Sequence, residues 1–340
     1  MPASISVASA ATALATLTVF TTTLVGCSPE TAPTPETGTG ASSTPPTTPI
    51  DTTGRIAFGR WAVDEDRGLP PALWTANADG SDPLPVGDQR GWYMEWSPDR
   101  THLVFDFPDD RGNEHIATVR LDGSDYTQLT TGTGFFADPA YSPDGATIVF
   151  SHSAVREDDE GFATRLWVMG SDGGDHRALL APEDAGSDWE PIFSPDGSQI
   201  AFTREIDRSG VVVSAIHVAN ADGTDVRAIT EFDDYVEHPR WSPDGSTIVY
   251  NLETPAELRH DPRNGIWTVL SSGGAPEQLL PSDERFHVYK PDYSPDGSQV
   301  LFGCAPRHST NEDLCVMDAD GTDIRQIMRT PEPENHGVWY

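Results

Sequence analysis

A ten-residue motif recurs through the sequence and constrains the fold more than any other feature. It reads YSPDGATIVF at 141–150, and close copies begin at residues 193, 241 and 293. A more divergent copy precedes them, so that Pro-Asp pairs begin at 98, 143, 195, 243 and 295, which by subtraction are 45, 52, 48 and 52 residues apart. Self-similarity at such a period is typical of propellers and solenoids.

Each repeat contains short apolar runs that predict β-strands. A run such as TIVF or QIAF follows the motif's turn, a second run such as RLWVM or AIHVA comes later, and a segment such as AIT or QLL ends the unit. The runs are too short for helices and are rich in Val, Ile and aromatic residues. Their nearly continuous apolarity is typical of strands covered on both faces. Together with the strand before Ser-Pro, these runs predict an all-β chain of four-stranded antiparallel sheets.

The Ser-Pro-Asp-Gly segments are interpreted as turns rather than as reaction or metal sites. Ser accepts a hydrogen bond at the first position, Pro fixes φ at the second, and Asp tolerates the third. Gly then supplies the positive φ of a hairpin with a bulge. The first copy has Arg100 instead of this Gly, so we expect its turn to be strained or remodelled. The stretch MDADGTD at 317–323 lacks the distal Glu of a calcium loop and is also interpreted as a turn.

The number of repeats predicts a six-bladed propeller. Five complete units occupy 91–130, 137–180, 189–230, 237–280 and 289–328, whereas residues 55–86 supply only three strands of a sixth. The missing strand matches NHGVWY at 335–340. We expect this C-terminal strand to join the N-terminal blade and close the ring, which removes exposed sheet edges. The propeller domain would span residues 54–340.

At these residues the chain resembles the TolB-like propeller repeat, a WD-repeat-like unit. Its hallmark is an aromatic residue before Ser-Pro-Asp-Gly, followed by an apolar strand and later by Ala-Asp-Gly-Thr, and HPRWSPDG at 238–245 is a close copy. The resemblance covers nearly everything after residue 53. It implies a β-propeller that contacts proteins around the mouth of its central channel.

The N-terminal segment predicts export. Residues 1–26 are apolar and small, carry no charged side chain and end in LVG before Cys27, which resembles a bacterial lipoprotein signal peptide although a basic n-region is missing. Cys27 would then carry the lipid; an ordinary secretory signal or a single apolar anchor are the alternatives. Residues 27–53, rich in Pro, Thr and Ser, predict a disordered linker. We expect an extracytoplasmic protein, lipid-anchored to the cell membrane within the bacterial cell envelope.

The two remaining cysteines, Cys304 and Cys315, form an even pair in an oxidising compartment. We therefore predict a disulfide between them, with two reduced, buried thiols as the alternative.

The charge balance excludes one class of partner. Lys and Arg number 21 against 54 Asp and Glu, a formal net charge of −33. Such a surface repels the phosphates of nucleic acids and the headgroups of anionic lipids, so that any membrane tie would be the lipid alone. Adaptation to high salt is another explanation of the same excess.

Equivalent positions just before each innermost strand are expected to converge on the mouth of the channel. Three positions ahead of the repeat's aromatic residue stand Tyr93, Asp138, Glu190, His238, Lys290 and His336. Among the residues one position earlier are Trp92, Trp189, Glu237 and Tyr289. These carboxylates, imidazoles, aromatic rings and the chain's only lysine suit a ligand or a peptide side chain. Water filling the channel would also explain polar residues there.

The long connections lie at the end of the sheets opposite the Asp-Gly turns, where binding is usual. They comprise residues 61–72, 106–115, 151–164, 203–213, 251–265 and 303–313, of which 64–67, 106–115 and 156–161 are acidic. The acidic runs are equally well explained as solvated loops.

These features predict a monomeric, non-catalytic lipoprotein that binds a protein, a peptide or a cell-envelope ligand at the long-loop face and channel mouth. The alternative is a lyase or hydrolase acting on a sugar or peptide at the same place. In that case His238 or His336 would be the base or a metal ligand, with Glu190 or Glu237 as the acid. The ammonium of Lys290 opposes a bound cation there, so no metal and no cofactor are expected.

Overall fold

The computed structural model describes residues 54–63, 68–153, 163–180, 186–232, 234–254, 261–282, 286–306 and 312–340. The predicted signal peptide, Cys27, the linker up to residue 53 and the acidic runs at 64–67 and 156–161 lie outside these residues. Every regular element in the described part is a β-strand. No helix of sufficient length and hydropathy to cross a membrane occurs there.

The strands pair in groups of four, which we call units 1 to 6. Unit 1 has the order β24 (Glu334–Trp339), β1 (Arg55–Arg60), β2 (Ala72–Asn77) and β3 (Leu84–Arg90). Unit 2 contains β4 (Met94–Trp96), β5 (His102–Pro108), β6 (Glu114–Arg120) and β7 (Thr127–Gln128). Unit 3 contains β8 (Phe135–Tyr141), β9 (Thr147–Ser153), β10 (Arg165–Gly170) and β11 (Arg177–Ala178).

The remaining units have the same antiparallel order. Unit 4 contains β12 (Ser187–Phe193), β13 (Gln199–Asp207), β14 (Val212–Asn220) and β15 (Arg227–Ala228). Unit 5 contains β16 (Tyr235–Trp241), β17 (Thr247–Glu253), β18 (Gly265–Leu270) and β19 (Glu277–Pro281). Unit 6 contains β20 (Phe286–Tyr293), β21 (Gln299–Pro306), β22 (Asp313–Asp318) and β23 (Arg325–Gln326). Units 2 and 3 are joined into one eight-stranded sheet by a single parallel pairing between Glu114 and Phe135.

The prediction of an all-β chain built from four-stranded antiparallel sheets is confirmed. The C-terminal strand β24 pairs with β1, with Val338 opposite Ala57 and Glu334 opposite Arg60.

The second strand of each unit is apolar on both faces because each face packs against a different neighbour. In β9, Ile148 and Phe150 belong to a core cluster shared with unit 2, whereas Val149 belongs to one shared with unit 4. All three side chains are fully buried. Since successive side chains of a strand point to opposite faces, a continuous apolar run is what this packing requires.

Six such clusters join the units in chain order. Five lie between consecutive units. The sixth joins unit 6 to unit 1 through Leu301, Leu314 and Val316 against Ile56 and Phe58.

The Ser-Pro-Asp-Gly turns have the geometry that the residue types predict. In the copy at 142–145, the Ser142 hydroxyl donates to Asp144 at 2.6 Å, and Gly145 has φ of 72°. Arg100 adopts the same left-handed conformation, with φ of 62°, and its N–H donates to the Ser97 carbonyl. The first turn is therefore strained rather than remodelled, and the Arg100 guanidinium lies 3.7 Å from the centre of the Tyr340 ring.

Cys304 and Cys315 lie on the neighbouring strands β21 and β22 and form a disulfide. Both half-cystines are buried in the core between units 5 and 6.

Candidate functional site

The innermost strand of five units carries a β-bulge. The pairing register shifts at the equivalent position of β8, β12, β16, β20 and β24. The bulged residues have left-handed φ values between 51° and 55°, and they are Asp138, Glu190, His238, Lys290 and His336. Left-handed backbone in a residue other than Gly costs about 1–3 kcal/mol and concentrates at functional sites. In four of the five units the next residue is Pro, which lacks the N–H that a bulge leaves unpaired.

Carboxylates hold the strained backbone of successive units. The Asp138 N–H donates to Asp106 at 3.0 Å, the Glu190 N–H to Asp138 at 3.2 Å, and the His238 N–H to Glu190 at 2.7 Å. A side chain of the second strand supports the same carboxylates, as Ser151 does for Asp138 and Thr203 for Glu190. This relay of hydrogen bonds orients the side chains of three neighbouring units toward one place.

A cavity of about 490 Å³ lies where these side chains meet. Its carboxyl groups belong to Asp106, Glu114, Asp138, Glu190, Glu205 and Glu237. Its aromatic rings are Trp92, Tyr93, Phe135, Trp189 and Tyr235, and Ala137 and Thr203 complete the lining. The volume is in the range of ligand pockets, which combine apolar walls with a few oriented polar groups.

A much smaller pocket of about 20 Å³ adjoins Tyr93 on another side. Its lining includes His238, Arg240, Lys290 and His336. The His336 ring stacks on Tyr93 at 4.5 Å, and the Lys290 ammonium lies 4.9 Å from the centre of the Tyr93 ring. Tyr93 thus contacts both the acidic cavity and this basic pocket.

The predicted channel-mouth residues divide between these two places. Six line the large cavity, namely Trp92, Tyr93, Asp138, Trp189, Glu190 and Glu237. Three others, His238, Lys290 and His336, line the small pocket. Tyr289 is buried and stacks near His287, with its ring centre 5.5 Å away, and lines neither.

Six further residues line the cavity but were not predicted as site residues, namely Asp106, Glu114, Phe135, Thr203, Glu205 and Tyr235. Asp106 and Thr203 stand directly after the apolar run of the second strand, at the position that Ser151 and Asn251 occupy in other repeats. A polar residue that recurs at this position is the sequence signal that could have identified Asp106 and Thr203 as site residues. Asp106, Glu114 and Glu205 also belong to long connections, of which 106–115 was noted as acidic.

His238 is the candidate catalytic imidazole, and its surroundings keep it neutral. Its Nδ1 lies 2.7 Å from Glu190 Oε1, and its Nε2 lies 3.6 Å from Glu237 Oε1. Burial lowers the pKa of His238 to about 3. The side chain is 6% exposed and does not line the large cavity.

The same three side chains are the candidate metal ligands. Glu190, Glu237 and His238 offer ligand atoms that all lie within 4.8 Å of one another. The Lys290 ammonium acts electrostatically on Glu190 and lowers its pKa, against the larger effect of burial. Such a nearby positive charge opposes a bound cation at these three residues.

Stability should decrease as the pH rises from about 6.5 to 8. Burial raises the pKa of both Asp138 and Glu114 to about 7, whereas exposed carboxyls of the unfolded chain titrate near 4. In this interval the folded protein therefore binds more protons than the unfolded chain, and the unfolding free energy falls with pH. His238 is neutral in the folded protein but about half protonated at pH 6.5 in the unfolded chain, so it offsets part of this loss. Lys290, with a pKa of about 8, acts mainly at higher pH.

Urea titrations at the two pH values measure this loss. The wild type should lose on the order of 1 kcal/mol more than Asp138→Asn, which cannot titrate. The exposed Asp88 provides the control, because Asp88→Asn should leave the pH dependence unchanged. Equal losses in all three proteins would contradict the assignment of a proton to Asp138.

Comparisons with known proteins support the fold. No family model matches the sequence. The uncharacterized peptidase YuxL of Bacillus subtilis is 30% identical over 115 residues, which are 34% of this chain and 17% of that protein. The uncharacterized protein Atu1656 of Agrobacterium fabrum is 26% identical over 212 residues, which are 60% of this chain and 66% of that protein. The chain thus spans from about a sixth to just under two thirds of these relatives.

Solved structures resemble the chain more extensively. TolB from Acinetobacter baumannii has a TM-score of 0.66 at 20% identity, covering 86% of this chain and 67% of that one. A putative TolB from Agrobacterium tumefaciens has a TM-score of 0.59 at 20% identity, covering 81% and 88%. An oligogalacturonate lyase in complex with manganese has a TM-score of 0.53 at 15% identity, covering 80% and 72%. At these identities the likeness shows the fold alone, which is a TolB-like β-propeller.

Proposed function

We propose that this chain is an exported, non-catalytic propeller that binds a protein, a peptide or a cell-envelope ligand in the 490 Å³ cavity. The observation that carries the proposal is the cavity itself, where carboxylates and aromatic rings from four units converge. The likeness to TolB structures supports the fold and not a binding partner.

The proposed architecture is a closed ring of six blades, each corresponding to one unit. The pairing of β24 with β1 and the apolar cluster between units 6 and 1 support closure. In such a ring the long connections lie at one end, and residues of two of them, Asp106 and Glu205, line the cavity. The proposed binding face is therefore the long-loop end.

The surroundings of His238 favour binding over catalysis. A general base should have a pKa near the working pH and contact the substrate. The pKa of His238 is lowered to about 3, and the residue lines two small pockets of about 20 Å³ each. Its contact with Glu190 is better explained as a positioning interaction that holds the cavity wall. The lyase and peptidases among the similar proteins keep an enzyme as the second candidate.

Export and anchoring remain part of the proposal on sequence grounds. The apolar segment before Cys27 and the Pro- and Thr-rich linker that follows it are typical of a lipoprotein tether. The Cys304–Cys315 disulfide fits an oxidising compartment. We propose that a lipid on Cys27 anchors a monomer outside the cytoplasmic membrane.

Affinity capture from a cell-envelope extract of the source organism tests the binding function. The full-length wild type is compared with Trp189→Ala, which removes a cavity wall, and with Ile324→Ala. Ile324 is 48% exposed and follows an Asp-Gly turn, so it lies at the end of its sheet that is opposite to the long connections. Recovery of a specific partner should fall at least tenfold for Trp189→Ala and remain unchanged for Ile324→Ala. Equal recovery by both folded variants would remove the cavity from the proposal.

A further inference from the structure

The lining of the cavity is acidic. Six carboxyl groups line it, and no Lys, Arg or His is among the described residues of its lining. Two cations near the cavity are engaged elsewhere. Arg240 contacts Glu95 at 2.6 Å and lies 3.8 Å from Asp292, and Lys290 lies over the Tyr93 ring in the small pocket. A positive ligand would therefore enter a region whose own cations do not face it.

Asp138 is one of the carboxyl groups that line this cavity, and one of its oxygens is unpaired among the described residues. The residue is 8% exposed, and its Oδ2 accepts hydrogen bonds from Ser151 at 2.9 Å and from the Glu190 N–H at 3.2 Å. Its Oδ1 has no hydrogen-bond partner in the described part of the chain. A hydrogen-bond donor on a ligand would pair with this oxygen. The free energy of that hydrogen bond would also offset the cost of the left-handed backbone at Asp138.

Aromatic rings provide the second half of the site. Glu205 accepts hydrogen bonds from the Trp189 indole at 3.1 Å and from the Tyr235 hydroxyl at 2.5 Å, so it fixes both rings. Phe135 meets Trp189 edge to face, with ring centres 5.6 Å apart. Preset rings beside carboxylates attract cations through their π faces and cover the apolar stem of the same ligand.

We infer that the cavity receives an organic cation, an ammonium or guanidinium group on an apolar stem. This inference deepens the proposed binding function and rests on it. The group is either a Lys or Arg side chain of a peptide or a free alkylamine, and both have the same head and stem. Asp138 would accept a hydrogen bond from the charged head, while Trp189 and Tyr235 cover the stem. An anionic ligand would meet these carboxyl groups with no cation in the described lining to compensate its charge.

Isothermal titration calorimetry with the full chain at low salt tests the charge of the ligand. The probes are a capped tetrapeptide containing one Arg, the same peptide with citrulline, and 1-butylguanidinium as a free alkylguanidinium. The Arg peptide should bind at least tenfold more tightly than the citrulline peptide, which has the same shape without the charge. Binding of 1-butylguanidinium as tight as that of the Arg peptide would assign a small organic cation, and weaker binding would assign a peptide. Equal affinity for Arg and citrulline would overturn the inference.

Two variants test the place of binding. Asp138→Asn keeps the carbonyl oxygen that accepts from Ser151 and Glu190, and it should weaken binding of the Arg peptide at least tenfold. Asp88→Asn removes the same charge from the exposed strand β3 and should change the affinity less than twofold. Equal effects of the two variants would indicate only long-range attraction and overturn the site. If Asp138→Asn does not fold, the affinity of Trp189→Phe for the Arg peptide tests the site instead. This variant keeps an aromatic side chain in the cavity wall but loses the indole.

Titration with Mn²⁺ separates this inference from a metal site. Mn²⁺ binding that depends on Asp138, together with no binding of either cationic probe, would overturn the organic-cation assignment. Loss of partner capture by Trp189→Ala without any binding of cationic probes would leave the proposed function intact and remove only this inference. Binding of cationic probes without any captured partner would support this inference and remove partner binding from the proposed function.

Discussion

A chain shortened to residue 333 should lose more than about 5 kcal/mol of unfolding free energy or aggregate. The deleted strand β24 is the pairing partner of β1, so its removal exposes a row of unpaired backbone groups that templates aggregation. It also leaves Arg60 without Glu334, whose carboxylate is fully buried 2.9 Å from the guanidinium. Breaking a buried ion pair by removing one partner alone costs about 3–5 kcal/mol. Thermal melting followed by circular dichroism measures the loss.

A circular permutant provides the matched control. Residues 332–340 are placed before residue 54 through a short Gly-rich linker, so the same strand is supplied from the other end of β1. The antiparallel pairing of Ile56 with Trp339 makes this a hairpin connection. The permutant should recover most of the lost stability. A shortened chain that melts within about 2 °C of the full chain would contradict both the role of β24 and the proposed ring closure.

The regular part of the fold could be predicted because its signals are local. A run such as Ile148 to Phe150 needs only the alternation of a strand and two covered faces to become fully apolar. The turn at Ser142 to Gly145 needs only the backbone preferences of four residue types. The exception at Arg100 could also be predicted, because a residue with a Cβ stands where the turn needs positive φ. These patterns recur in five repeats, and each repeat supports the interpretation of the others.

The site was less predictable because it depends on tertiary geometry. Equivalent repeat positions were expected to converge, and Asp138, Glu190 and Trp189 do line one cavity. His238 and Lys290 occupy the same repeat position but face the small pocket. Spacing in the sequence identifies equivalent positions of the repeat, but it does not predict which pocket each side chain lines. That choice depends on the bulge and on the hydrogen bonds of each unit.

The residues that form hydrogen bonds with the bulged residues were not predicted as part of the site. Asp106, Thr203 and Asn251 follow apolar runs, where a polar residue reads as the solvated end of a strand. In the structure they accept or donate the hydrogen bonds that hold the neighbouring bulges. A polar residue that recurs at this position in four units is therefore better interpreted as a second layer of the site. Gly59 and Gly303 occupy this position in units 1 and 6, and neither unit contributes to the lining of the large cavity.

Arg204→Ala should destabilise the protein by about 3–5 kcal/mol, whereas Arg120→Ala should cost less than about 1 kcal/mol. The Arg204 guanidinium contacts Asp188 at 2.6 and 3.1 Å, and Asp188 is fully buried. Its loss leaves a buried carboxylate without its cation, beside the Trp189–Thr203 pair of the cavity wall. Arg120 instead meets Asp125 at 4.0 Å with both side chains exposed, where solvent screens the attraction.

Urea titrations of the two variants give the difference directly, and a double variant identifies its cause. Arg204→Met combined with Asp188→Leu replaces the ion pair by apolar groups of similar size and should lie within about 2 kcal/mol of the wild type, because neither charge remains buried. A double variant as unstable as Arg204→Ala would instead assign the loss to packing. In the proposed site Arg204 acts only through the fold. The affinity of folded Arg204→Ala for the Arg peptide should therefore stay within threefold of the wild type, whereas a tenfold loss would place Arg204 in the binding site.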